Sequence, residues 1–218
     1  MNTNSKRSQR NVRYTVIALV GLALLFVGMF VRQFFNPSSL DQQWLRSKNA
    51  IIYDAPRKLE AITLIDERAR DFDGSEFAGS WNLVFFGYTY CPDICPATMA
   101  ILKQAVDKLR DRGVDSVQVY LLSVDPARDT PEQLASYVGF FDSEFHGLTG
   151  EFLNVHRFAT QLNAAFRKVP DEEGSYLMDH SAHIGIIGPQ GLSRGALKAP
   201  HNIENIVAVM SALNRLKN

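Results

Sequence analysis

Two cysteines, the only ones in 218 residues, stand in Cys91-Pro92-Asp93-Ile94-Cys95-Pro96, between the apolar run Trp81–Tyr88 and a helical pattern that opens at Pro96. This junction constrains the fold more than any other feature. A short run of that apolarity reads as a buried strand, and a helix starting within a few residues of its end makes a strand–helix unit. If the chain winds helically near Cys95, the cysteines lie about one turn apart, with Cα atoms roughly 6 Å from each other, within disulfide range. The same spacing lets both sulfurs converge on one thiophilic ion, so it leaves redox chemistry and metal binding equally open. Cys95, beside Pro96 at a helix N-terminus, is the thiol that the macrodipole and free N–H groups should favour as thiolate.

The chain around this unit alternates between the two periodicities. Leu59–Ile65 is strand-like, and Asp71–Gly79 is a turn region leading into the run at residue 81. Pro96–Arg110 carries Ile101, Leu102, Ala105 and Leu109 at helical spacing, and Val117–Val124 is a buried-strand run. Pro131–Phe141 is a short helix that Thr130 caps, with Pro131 in its first turn and Gln133 completing a capping box. A helix follows over about Glu151–Leu162. Phe166–Val169 and His183–Gly188 are strands, Pro189-Gln190-Gly191 is a turn into a returning segment, and Asn202 caps a last helix bearing Ile206, Met210 and Leu213. Strand–helix–strand, a hairpin and a closing helix describe an α/β thioredoxin-like fold, in which chemistry gathers at the carboxyl ends of strands, where Cys91 and Cys95 fall.

Charge divides the chain. The formal net charge is zero, which gives no basic surface for nucleic acid. Lys6, Arg7, Arg10 and Arg13 nevertheless make residues 1–13 a basic tail without acids, leaving the remainder net negative by four. Tyr14–Val31 follows, eighteen residues without a charge, long enough as a helix to span roughly 27 Å, near the thickness of a bilayer core. No small-residue cleavage site or lipid-accepting cysteine follows, so the run reads as a retained transmembrane anchor rather than a signal peptide. Its basic N-terminal flank places the tail in the cytoplasm and the rest outside, where a cysteine pair can oxidise. Thirteen residues are too few for a mitochondrial transit sequence, which favours a bacterial inner membrane with the soluble part facing the periplasm. Residues 32–49 read as a tether and 50–218 as one domain.

His180, in Met178-Asp179-His180-Ser181 just before a strand, decides between metal and redox chemistry. In thioredoxins the matching position facing the dithiol is a cis-proline; here Asp179-His180 takes its place. Cys91, Cys95 and His180 form a Cys₂His set suited to copper, since sulfur favours Cu(I) and imidazole accepts either Cu(I) or Cu(II). A structural zinc site would want a fourth protein ligand. Met99 and Met178 are core filling. His146, His156 and His201 are scattered without partner motifs, Asp129-Thr130 reads as helix capping, and His183 points to the opposite strand face from His180. Phe85, Phe86, Tyr88 and Tyr90 belong to a strand buried on both sides rather than to a ligand cage.

The segments FFGYTYCPDICP, SVDPARDTP (Ser123–Pro131) and MDHS (Met178–Ser181) resemble, in order and separation, the Sco/SenC family of membrane-anchored copper proteins, from about Pro56 to Met210. The resemblance implies a thioredoxin-like fold, copper held by Cys91, Cys95 and His180, and a role maturing the copper-A centre of cytochrome c oxidase. It places Asp125 near the site, outside the ligand set. The implied partners are the copper-A-bearing oxidase subunit and either copper donors or thiol reductases that load or reduce the pair. Such a protein is a metallochaperone more than an enzyme. A thiol–disulfide oxidoreductase cycling a Cys91–Cys95 disulfide and a copper or redox sensor remain the alternatives.

Overall fold

The computed structural model describes residues 3–35, 40–170 and 174–216, with side chains described from residue 13 to 29 in the first of these segments. Two units emerge, one ending at Leu40 and a second from Asp41 onward. Among the described residues the first holds the helix α1 (Thr3–Phe35), whose side chains from 13 to 29 are all exposed. Among the described residues no helix is long and apolar enough to cross a membrane; the run expected to do so extends over residues 30 and 31, whose side chains lie outside those described. Of the expected tether, residues 36–39 also lie outside.

The second unit begins nine residues earlier than the domain start expected at residue 50. The reason is local. Asp41 caps the short helix α2 (Gln42–Ser47) by accepting from the Gln43 N–H at 2.9 Å, and α2 buries Leu45. Strand β1 (Ala50–Lys58) follows at once. The expected strand at Leu59–Ile65 shrinks to β2 (Leu64–Asp66), and the expected turn region contains β3 (Asp71–Phe72) and a 3-10 turn at Ser75–Phe77. Then come β4 (Trp81–Gly87), α3 (Ile94–Arg110), β5 (Val117–Ser123), α4 (Pro131–Phe141), β6 (His146–Thr149) and α5 (Phe152–Gln161). The chain closes with β7 (Phe166–Pro170), β8 (Tyr176–His180), β9 (Ile184–Ile187), β10 (Leu192–Leu197) and α6 (Ile203–Leu216).

Eight strands form one sheet in the order β1-β10-β9-β4-β5-β6-β2-β3. β4, β5 and β6 run parallel, while β9 pairs antiparallel with β4. Every residue of β4 is buried, as expected of a central strand covered by helices on both faces. α3 packs on α6, α4 on β6 and α5 on β5. The capping box at α4 is present as expected, with Thr130 Oγ1 accepting from the Gln133 N–H and Gln133 Oε1 from the Thr130 N–H. Asn202 accepts from the Asn205 N–H at 2.8 Å ahead of α6.

β1 has no clear signature along the chain because its docking is a tertiary event. It pairs with β10, and the Ile51 carbonyl sits where a side chain at residue 195 would be; a Cβ on Gly195, at φ +152°, would lie 2.0 Å from that oxygen. Only glycine admits β1 at this register. The other departure bears on function. Among the described residues β7 and β8 pair only with each other, as a separate two-stranded sheet. Asp179-His180 precedes the strand β9 as expected, but the pair also ends β8, a strand the sequence pattern did not show.

Candidate metal centre

The parallel pairing of β4 and β5 sets Gly87 beside Ser123, so the dithiol loop and the Ser123–Pro131 segment leave the sheet at the same edge. Tyr88 continues inward, its carbonyl accepting from the Cys91 N–H at 3.3 Å. α3 starts two residues earlier than expected, which puts Cys95 inside its first turn. Asp93 holds the N-cap position but makes no side-chain capping bond there. Cys91 serves that end of the helix instead: its Sγ accepts from the Cys95 N–H at 3.4 Å.

This arrangement overturns the expectation that Cys95 would be the thiolate. Cys95 is fully buried, and donation of its proton to Cys91 together with that burial pushes its thiol upward. The Cys91 thiol is pushed down to about 4, first by the hydrogen bond from Cys95, against burial, with help from backbone N–H groups. Half-exposed Cys91 is therefore the reactive sulfur. We expect one fast alkylation per chain by iodoacetamide, at Cys91, with a rate that persists from neutral pH to pH 5 and falls only as pH drops through about 4. A thiol near the ordinary value of about 8.5 would slow roughly tenfold per unit below it. Such ordinary slowing, followed by peptide mass spectrometry, would contradict the assignment.

Gly87 is what lets the buried sulfur lie against the strand. A Cβ there would stand 3.1 Å from Cys95 Sγ and 3.0 Å from both Leu121 and Phe85 side-chain atoms.

His180 completes the constellation from the other side. Its Nε2 lies 3.7 Å from Cys95 Sγ, and its Nδ1 is 3.2 Å from the Ser181 carbonyl. A carbonyl only accepts, so that contact assigns a ring proton to Nδ1; in the neutral imidazole the Nε2 lone pair then faces the dithiol. Phe85 and Tyr88 wall the ring edge-on, with centroids 6.2 and 6.1 Å away. Phe85, on the fully buried strand expected of it, and Tyr88, just beyond that strand, thus also wall the site, while Tyr90 is half exposed. A hollow of about 320 Å³ lined by Ala165, Phe166, Arg167, Asp179, His180 and Ser181 opens the histidine's side of the site to solvent.

The donor set fits a thiophilic ion. Bonds of about 2.3 Å to sulfur and about 2.0 Å to nitrogen, 120° apart, would hold those atoms about 3.7 Å from each other. Among the described residues, no group of three or more His, Cys, Asp and Glu side chains is assembled to hold a metal ion as it stands; the contacts present are those of a reduced, hydrogen-bonded dithiol.

Asp125 is buried one layer away. Its Oδ1 accepts from the Tyr176 hydroxyl at 3.1 Å and its Oδ2 pairs with the Arg128 guanidinium. Asp129 is not the helix cap expected of it; Thr130 alone caps α4. Asp129 is buried, accepting from the Thr89 N–H at 3.1 Å, the Thr89 hydroxyl at 2.6 Å and the Ser123 hydroxyl at 2.6 Å, which ties the dithiol loop to β5. Burial raises its carboxyl above the usual range despite these donors. Met99 and Met178 are buried, consistent with core filling. His183 is engaged away from the dithiol: its Nε2 is 2.9 Å from the Leu162 carbonyl, and His201 Nε2 is 2.7 Å from that of Ala182. His146 sits on β6, against Glu67 and the Tyr120 ring. His156 lies on α5 beside Phe152 and Phe166.

The family pattern described as SCO1/SenC matches residues 54–215. A protein of Stutzerimonas stutzeri named for copper binding is 32% identical over 166 residues, 76% of this chain and 81% of that protein. The human SCO2 homolog, a mitochondrial protein, is 38% identical over 131 residues, 59% of this chain but only 49% of its own length, so this chain spans about half of that relative. The crystal structure of Arabidopsis thaliana ScoI with copper bound superposes with a TM-score of 0.68 at 29% identity, covering 72% of this chain and 98% of that one. BsSco, described as a member of the Sco family of cytochrome c oxidase assembly proteins with a disulfide switch, shares the fold at 22% identity and a TM-score of 0.60, over 76% of this chain and 98% of its own. With the family pattern running over residues 54–215, a thioredoxin-like α/β unit and a dithiol facing a histidine, this chain belongs to the SCO1/SenC family.

Proposed function

We propose that this protein is a copper metallochaperone that holds copper through Cys91, Cys95 and His180 and helps mature the copper-A centre of cytochrome c oxidase. One observation carries the reading: the Nε2 lone pair of His180 faces Cys95 Sγ across 3.7 Å, while Ser181 holds the proton on the other ring nitrogen. A dithiol reductase has no need of an imidazole there. The copper-bound Arabidopsis relative, and the name of the Stutzerimonas relative, support the choice of ion. Half-exposed Cys91 is the ligand a client thiolate would exchange first.

The reading extends to topology. Residues 1–13 are a cytoplasmic tail, 14–31 a single-pass anchor in a bacterial inner membrane, and the α/β unit works in the periplasm. A helix with exposed apolar side chains all round suits a lipid medium. The test is a deletion strain grown in copper-depleted medium. Copper-A oxidase activity should fall, return in part with added copper, and be restored by the wild-type chain but not by His180→Ala. Full oxidase activity in the deletion strain would reject the chaperone reading. A membrane-impermeant maleimide should label Cys91 in intact spheroplasts; labelling only after lysis would reverse the orientation.

A second reading is favoured by the low Cys91 thiol and the buried Cys95 beside it. Cys91 thiolate would attack a client disulfide, releasing one client thiolate, and Cys95, after giving up its proton, would displace the second as the Cys91–Cys95 disulfide closes. Insulin reduction at a rate near that of thioredoxin would support this reading over the first.

A further inference from the structure

His180 sits on a hairpin that the main sheet does not hold. β7 and β8 pair with each other, and the bonds at their base, Ser181 N–H to the Ala165 carbonyl at 2.9 Å and Ala165 N–H to Ser181 Oγ at 3.0 Å, stay within the hairpin. The imidazole therefore faces the dithiol only if something else fastens β8 to the body of the domain. That fastening converges on Arg128. Its guanidinium lies 3.8 Å from the Tyr176 ring centroid, 5.0 Å from that of Tyr90 and 5.7 Å from that of Tyr88. It also pairs with Asp125, which accepts from the Tyr176 hydroxyl. Tyr88, in turn, accepts from the Met178 N–H at 3.3 Å, stands edge-on to His180 and anchors the Cys91 N–H through its carbonyl. The Nη2 of Arg128 is buried without a hydrogen-bond partner, while its Nε holds Asp125.

We infer that Arg128 and Tyr176 form a latch that holds the β7–β8 hairpin down and so positions His180 opposite Cys91 and Cys95. They are positioning residues: neither contacts the sulfurs, and both act through the hairpin. The inference rests on the proposed copper site for its consequence, but its structural half stands without metal. Rings and cations at this spacing are attractive, more so when shielded from water, and the Tyr176 hydroxyl adds a bond to an ionised acceptor. Ligand orientation of this kind is worth about 10–100-fold in metal affinity at other sites.

The test uses the reduced domain with and without Cu(II). In the metal-free protein, amide exchange at Met178 and its hairpin neighbours should quicken about tenfold in Arg128→Ala and about fivefold in Tyr176→Phe, while exchange in β4 and β5 stays unchanged. With Cu(II), the nitrogen hyperfine signal of imidazole ligation should weaken in both variants, and Arg128→Lys should restore much of it. Cu(I) held by the two sulfurs should be nearly unaffected. Unchanged hairpin exchange in both variants overturns the latch, whatever the copper spectra show. Quickened exchange together with a copper signal that His180→Ala leaves intact keeps the latch and removes the ligand assignment instead.

Discussion

Purified domain carrying Cys95→Ser is expected to bind no stable copper in either oxidation state. Cys95 is the fully buried sulfur, 3.7 Å from His180 Nε2 and hydrogen-bonded to Cys91. Serine removes a soft anionic donor and leaves a hard hydroxyl that Cu(I) does not favour. The loss should exceed the roughly 10–100-fold cost of altering groups outside a ligand sphere. Cys91→Ser should act alike, because one thiolate and one imidazole are too few for a firm site. His180→Ala should behave differently, keeping weak Cu(I) binding through the sulfurs while losing most Cu(II) binding, since imidazole is the better match to the harder ion. A domain oxidised to the disulfide should bind neither. Competitive titration with a chromophoric Cu(I) chelator and Cu(II) charge-transfer spectra give the readouts. An unchanged Cu(II) spectrum in His180→Ala would exclude that residue, and copper held firmly by Cys95→Ser would exclude the dithiol.

Asp129→Ala is expected to produce the largest loss of stability among substitutions near the site, about 2–4 kcal/mol. The substitution leaves the Thr89 N–H and hydroxyl and the Ser123 hydroxyl without their acceptor, all at the root of the dithiol loop. For a domain of this size the melting temperature should drop by roughly 5–12 °C. Asp129→Asn, which keeps one acceptor oxygen, should lose less. The pH dependence separates charge from bonding. Because burial raises the Asp129 carboxyl in the fold, the native state binds the proton more tightly than the unfolded chain. Its contribution to stability is therefore present at low pH and lost as pH rises out of the ordinary carboxylate range. Asp129→Asn should abolish that decline; a melting profile that keeps it would assign the decline to another group.

Much of the site is legible in local sequence. The dithiol stands out because both cysteines sit in one short motif, and the strand ahead of it is apolar throughout. The capping box at Thr130 and Gln133 is equally local, and it forms at the residues expected. Arg128 and Asp129 are harder to see. Both lie in the Ser123–Pro131 segment, yet what they touch, Tyr176 and Thr89, lies some forty to fifty residues away and is set by which strand ends meet. The Asp-x-x-Arg spacing of Asp125 and Arg128 is the one local hint of an internal ion pair.

Local pattern alone determined the alternation of strands and helices and the strand-to-helix seat of the cysteines, because periodicity and motif are properties of neighbours along the chain; His180 was reached through the matching position of the thioredoxin-like fold. Tertiary structure decided the rest. It admitted β1 beside Gly195, made Cys91 rather than Cys95 the low thiol by turning the Cys95 proton toward Cys91 and burying Cys95, and set His180 on a hairpin detached from the main sheet. Burial, hydrogen-bond direction and sheet membership depend on what the folded chain brings from elsewhere, and no window of sequence contains that information.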